Sequence, residues 1–428
     1  MLKAPVTVTS SGACARWRAW APWLALVALF VVPPLVSACA SPYGVPQGWL
    51  LTCLAQAATM IVFALSYNLL LGETGLLSFG HAAPAGLGAL VAARLFNHPF
   101  NHHAIALPLL PLVGGLGGAA FGALTALVAA RRAGTAFAMI TLGLGELVAA
   151  AAWALPDWFG GEAGVGIDRG SGPAWFGWSF GPDVEAYCVI AAWCVLACGT
   201  IFALSRTPRA RLANAVRDNP VRAAALGIAP ARTRAAMIVW SAAFAGVAGT
   251  LALINVEVAA AESVGMMRSA AVLIATVTGG AASFFGPVLG ALVWVAFSLG
   301  VASITRGWML YVGLFFIAVV LAAPDGLAGI SARGRAWIAR HGWRRGARVG
   351  MAGALAMACG TLAFVLAVQW AYAARLRDSD PDAWLAALTP RGAWQLAGAI
   401  VALTTLAVLS AQRTRRLKRA FDTQENER

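Results

Sequence analysis

RTPRARLANAVRDNPVRAAALGIAPARTR, Arg206–Arg234, decides how the chain is read, because it is a long arginine-rich interruption in an otherwise apolar text. The runs on either side, Ala186–Ser205 and Ala235–Ile254, each have the roughly 20 residues that carry a helix across a bilayer. The stretch between them is therefore a loop outside the membrane. Within it, Asp218 or Asn219 can cap a helix, Pro220 suits a first helical position that needs no backbone donor, and Gly227 supplies a left-handed stop. A short helix over Pro220–Leu226 is expected, with Arg222 exposed among small alanines so that another protein can come close to its backbone. The loop reads as a docking element.

The rest of the 428 residues support a membrane setting. Hydrophobic residues make up 60% and charged residues 11%, against about 25% charged in ordinary soluble domains. A net charge of +14 raises the question of nucleic acid, but the arginines sit in short clusters between apolar runs, where membrane orientation explains them. No nucleic-acid partner is expected, and the lipid bilayer is. The seven cysteines have no metal-ligand spacing. Asn97, His98, Asn101, His102 and His103 lack a nearby carboxylate or cysteine to complete a ligand set, so they read as solvated loop residues, and neither a metal nor a cofactor is expected.

Ten spans follow from the length rule: Ala19–Val36, Trp49–Leu71, Ser78–Leu95, Ile105–Ala130, Thr135–Ala154, Ala186–Ser205, Ala235–Ile254, Arg268–Ala281, Phe285–Val301 and Trp308–Ala323. The first could also be a signal segment, since Val36-Ser37-Ala38-Cys39 resembles a lipoprotein cleavage box, but its length favours an uncleaved helix. The spans around Gly279-Gly280 and Gly286-Pro287 are short, as broken or tilted helices would be. The expected fold is an all-α polytopic membrane protein with about ten core helices and two further C-terminal ones. Basic residues test the topology. With a cytoplasmic amino terminus, one face collects Lys3, Arg16, Arg18, Arg131, Arg132, seven arginines at 206–234, six between Arg333 and Arg348, and six from Arg413 onward. The other face keeps Arg94, Arg169, Arg268, Arg306, Arg375, Arg377 and Arg391. The positive-inside rule thus puts the arginine loop and both termini in the cytoplasm. The long outer loop Pro156–Glu185, rich in glycine and tryptophan, suits either an external partner or a re-entrant cover.

Polar residues inside spans are costly and therefore informative. Glu146, in ITLGLGELV, lies well within a span among small neighbours and is expected to face the bundle interior, with Thr141 one and a half turns before it. In YNLLLGETGLLSFGHAAPAGLGAL, Asn68, Ser78 and His81 interrupt an apolar text. Gly72, Glu73 and Gly75 read as a tight cytoplasmic turn, and Pro84 as a bend in the next span. Asn68, Ser78, His81, Thr141 and Glu146 are the candidate translocation pathway. No serine–histidine set, paired carboxylates or metal cluster points to an enzyme.

YNLLLGETGLLSFGHAA, ITLGLGELV, GGEAGVGI, RDNPVRAAALGIAPARTRAAMIVWSAAFAGVAGTLAL, VTGGAASFFGPVLGALV and VGLFFIAVVLAAPDGLAGI follow one another in an order that resembles the branched-chain amino acid type of ABC importer permease. The resemblance is closest to its LivM-like group, which includes urea and amide relatives, and it covers Trp49 to Ile330. It implies that the arginine loop is a coupling helix, in which Arg217, Asp218, Asn219, Pro220, Arg222, Ala224 and Gly227 meet an ATPase. It further implies ABC ATPase subunits, a second homologous permease subunit and an extracytoplasmic solute-binding protein as partners, with a small polar, largely uncharged or zwitterionic solute. The chain has no G-x-x-x-x-G-K-[ST] phosphate loop, and its only lysines are Lys3 and Lys418, so its energy comes from a partner or an ion gradient. A gradient-driven carrier using Glu146 or His81 is the rival reading. The tail departs from the family. A basic linker, 331–348, leads into the apolar runs Val349–Trp370 and Trp394–Ser410, which are expected to form a hairpin. The spans of Trp49–Ala154 and Ala235–Ala323 enter from opposite faces, as inverted repeats do.

Overall fold

The computed structural model describes residues 12–41, 45–98 and 105–330, apart from 176, 304, 306 and 324, together with a few positions at 333–334, 351 and 401–413. Asn101, His102 and His103, and nearly all of the linker and the expected C-terminal hairpin, lie outside the described residues. Two compact units divide the chain, Met1–Gly329 and Ile330–Arg428.

The first unit holds the helices α1 (Gly12–Ala40), α2 (Gly48–Thr74), α3 (Ala82–Phe96), α4 (Leu110–Ala129), α5 (Thr135–Ala154), the single turn α6 (Pro156–Phe159), α7 (Asp183–Ser205), α8 (Pro208–Asp218), α9 (Pro220–Ala225), α10 (Pro230–Val256), α11 (Met266–Gly279), α12 (Gly286–Val295) and α13 (Trp308–Ala322). Six are long and apolar enough to cross a membrane. Four shorter apolar helices, α3, α11, α12 with its continuation to Val301, and α13, complete the set. The protein is thus an all-α polytopic membrane protein.

The long helices α2 and α10, 27 residues each, form the centre of the unit. Helix α10 packs against α3 and α4, while α2 packs against α11 and α12, and the two long helices also touch each other. Each half therefore lends its first long helix to the next two helices of the other half, a pattern that repeats related by a twofold produce. The tightest seam joins α4 to α10. Gly114, Gly118 and Gly122 stand four residues apart on one face of α4 and meet Ala242 and Gly246 of α10. A side chain on Gly246 would overlap the carbonyl oxygen of Gly114, and one on Gly88 of α3 would lie 2.6 Å from the Cα of Gly246. Three backbones meet there because lipid offers no hydrophobic drive between helices, which leaves close van der Waals contact of small residues to hold them together.

Two local expectations are corrected. Gly72 and Glu73 continue α2 as its last turn, and the chain reverses only at Gly75, whose φ of 67° caps the helix. Pro84 falls in the first turn of α3, where its missing donor costs nothing and no bend results.

At the opposite end of α2 the long loop folds down as a cover. Its strand β1 (Val165–Gly166) pairs antiparallel with β2 (Val258–Ala259), just after α10. Arg169 bridges Asp183 at 3.0 Å and also Glu257, while Arg94 donates to the carbonyls of Asp157 and Trp158. Replacing Arg169 with alanine is expected to lower thermal stability by on the order of 1 kcal/mol, since both carboxylates are partly exposed. The larger effect is expected in limited proteolysis, with cleavage between Pro156 and Asp183 accelerated several-fold.

Candidate functional site

Arginine-rich residues 206–234 form an elbow of two helices where one was expected. Helix α8 buries Ala210, Ala213 and Val216 and packs on α2 and α10. Arg217 Nη1 donates to the carbonyl of Gly72, and its stem lies over Gly75, where an added Cβ would come within 2.7 Å. Asn214 Nδ2 donates to Glu73 Oε2 at 2.6 Å. The elbow is thereby fastened to the end of α2. Asn219 then breaks α8 and starts α9, its side-chain oxygen accepting from the backbone of Arg222 at 2.9 Å. Asp218 pairs instead with Arg217 Nε at 3.1 Å. Gly227, at φ 82°, closes α9: its N–H donates to Ala224 and that of Ile228 to Ala223, a glycine-terminated helix stop. Only Ala223 of α9 is buried. Val221 and Leu226 are 79% and 75% exposed, flanking the exposed Arg222 and Ala224.

Three of the five pathway candidates, Ser78, His81 and Thr141, fall along one polar seam. Between α2 and α3 the segment Gly75–His81 is irregular, and such backbone survives at membrane depth only where protein surrounds it. Tyr67 donates its hydroxyl to the Ser78 carbonyl at 3.0 Å, and Phe79 N–H donates to Thr141 Oγ1 at 3.3 Å. The backbone N–H of Ala82 donates to Ser269 Oγ at 2.9 Å. His81 Nε2 lies 3.0 Å from Ser66 Oγ, stacked on Phe63 and edged by Tyr67. At 3% exposure His81 is enclosed. Ser78, His81 and Thr141 share a cavity of only about 20 Å³, room for one water and not for a solute. Asn68 is buried beside Gly72, with its Oδ1 unpartnered. Glu146 lies elsewhere: it is exposed on the outer side of α5, not turned to the bundle interior. The inward position belongs to Gly145, which packs against Gly80, and the next residue is rotated about 100° away.

The sizeable cavity, about 680 Å³, opens at the other end of α2, beside the ends of α10 and α12 and the starts of α11 and α13. None of the pathway candidates lines it. Arg268 does, from the first turns of α11, along with Gln56 and Asn255. The one local signal was a cation at the edge of an apolar run with no acid beside it. Glu262, Met266 and Met267 stand near Arg268 in sequence, and the remaining walls come from distant parts of the chain.

Residues 49–324 match the family described as branched-chain amino acid transport system / permease component. The chain belongs to this permease family. The high-affinity branched-chain amino acid transport system permease protein LivM of Escherichia coli (strain K12) is 30% identical over 324 residues, covering 70% of this chain and 74% of that protein. LivM of Salmonella typhimurium (strain LT2) is likewise 30% identical, over 325 residues with the same coverage. No solved structure matches. The permease is a membrane subunit of a transport system and not an enzyme.

Proposed function

We propose that this permease is the membrane-spanning subunit of an ABC importer in the plasma (inner) membrane, with both termini cytoplasmic. It moves a small zwitterionic solute of the branched-chain amino acid type inward on ATP hydrolysed by separate subunits. Its further partners are a second homologous permease subunit and an extracytoplasmic solute-binding protein. The observation that carries the reading is the elbow: α8 is tied to α2 and α10, while α9 presents Val221, Arg222, Ala224 and Leu226 to whatever binds there. An exposed valine on this six-residue helix and an exposed leucine just past its end make a small apolar knob suited to a cleft in another protein. Force applied to α9 passes through Arg217 and Asn214 into α2, and so to Asn68 on that helix and to the seam of Ser78, His81 and Thr141, which together serve as the moving wall. A carboxylate at mid-height on a membrane helix faces water or a partner in preference to lipid. Glu146 is accordingly assigned to the wet path between the two permease subunits. An amide or urea solute is the alternative cargo, favoured by the family's breadth alone.

Leu226→Asp combined with Val221→Asp tests the docking role. The variant permease is expected to purify in normal amount yet retain less than about a tenth of its ATPase subunits, and to lose ATP-driven uptake in proteoliposomes. Uptake by the purified chain without ATPase or ATP would sink the proposal in favour of a gradient-driven carrier.

A further inference from the structure

The cavity beside Arg268 carries an assignment of its own. Its volume of about 680 Å³ falls within the roughly 300–1,000 Å³ of small-molecule sites. Arg268 brings a guanidinium into it, and among the described residues that group has no ion pair and no hydrogen bond. It lies over the ring of Phe63, 5.9 Å from Cζ to the centroid. A guanidinium offers five donors in a planar fork that fits a carboxylate. Holding one unpaired against a cavity wall is costly unless an anion or water completes it. Glu262 lines the same cavity without pairing to Arg268, and Gln56 and Asn255 add amide groups that donate and accept. The cavity thus offers a positive and a negative group separately, with neutral amides beside them.

Its other walls are apolar and adaptable. Met60 and Met267 face it, and methionine repacks around aliphatic groups of different branching. Trp294 and Trp308, edge to face at 6.0 Å, close another side. Ser298 enters from a π-helical turn, Ala296–Val301, that extends α12, a distortion found often at functional sites.

From this juxtaposition we propose that the cavity is a binding site for a zwitterionic aliphatic amino acid, with Arg268 holding the carboxylate, Glu262 the ammonium, and the methionines and tryptophans the side chain. The site stands at the end of the bundle away from the elbow, where solute enters before the bundle changes state. This rests on the importer reading above and adds to it a solute-binding site within the permease itself.

Saturation-transfer NMR on the purified full-length permease reads weak binding directly, with L-leucine, 4-methylpentanoate (no ammonium) and leucinamide (no carboxylate) as probes. Leucine is expected to give transfer, 4-methylpentanoate less, and leucinamide at least about tenfold less. Arg268→Ala should abolish the leucine signal, and Arg268→Lys should retain part of it. Ser298→Trp, which leaves Arg268 in place and fills the cavity from another helix, should also abolish it, and serves where Arg268→Ala yields little folded protein. Equal transfer from leucine and leucinamide, an unchanged leucine signal in Ser298→Trp, no signal in the wild-type permease at 10-millimolar-order leucine, or a bound anionic lipid that leucine does not displace would each overturn the site. Uptake by the reconstituted complex separates the two readings. ATP-driven leucine uptake together with a failed binding test removes only the site, whereas absence of any amino-acid uptake removes both.

Discussion

Gly246→Leu is expected to leave almost no folded permease. The seam at this position brings α10, α4 and α3 to backbone contact, since a side chain on Gly246 meets the carbonyl of Gly114, and one on Gly88 meets both. Ordinary overpacking costs about 1–3 kcal/mol. Here the obstructing atoms are backbone, so no rotamer change relieves the clash and whole helices must separate. Separation would also strip contact from Ala245, Ala248 and Leu251, which lie buried on the same helix. A loss beyond about 4 kcal/mol, enough to unfold a marginally stable domain, is the expected result. It would be read as loss of the monodisperse peak and of a cooperative thermal transition in detergent. Gly199→Leu is the control. The same leucine on α7 meets nothing within 4 Å and should leave the transition within about 1 °C of wild type. A folded Gly246→Leu protein would show that α4 and α10 do not cross as described.

The contrast between those two glycines marks what could be read from residues alone. The six long spans were legible because the bilayer imposes a length on a helix that crosses it, whereas α3, α11, α12 and α13 fall short of that length and showed only as apolar runs. Helix ends were legible where chemistry is local. Asn219 and Gly227 act within one turn of themselves, and the structure puts a cap at the one and a left-handed stop at the other. Facing was not legible. In a soluble helix the polar side reveals the outside, but lipid and protein core are both apolar, so the text of α5 cannot say whether Gly145 or Glu146 points inward. The seven residues from Gly75 to His81 posed a related difficulty. Their hydropathy suits a span, and only the side-chain partners at Tyr67, Thr141 and Ser66 explain why they need not be helical. The large cavity was the least legible feature. Gln56, Asn255, Arg268 and Ser298 come from four helices spread over more than half the chain, and no spacing rule joins them.

Arg217→Ala is expected to separate docking from movement. The exposed face of α9 does not depend on this side chain, because Asn219 and Gly227 fix that helix by themselves. ATPase subunits should therefore still co-purify with the variant and still hydrolyse ATP. What the variant loses is the bond from Arg217 to the Gly72 carbonyl and the cover its stem lays over Gly75. These contacts fasten the elbow to α2, and the bond from Asn214 to Glu73 is, among the described residues, the side-chain bond that remains between them. A hydrogen bond to a charged group contributes about 1.5–3 kcal/mol, and the partial exposure of Arg217 puts this one at the low end. That is enough for α9 to move without taking α2 along. Uptake per ATP hydrolysed should fall by about tenfold or more, and Asn214→Ala added to Arg217→Ala should lower it further, because the two bonds share one task. Measuring uptake and hydrolysis on the same proteoliposomes gives the ratio. A ratio equal to wild type in the double variant would mean that force reaches the bundle by another route, through α10 directly.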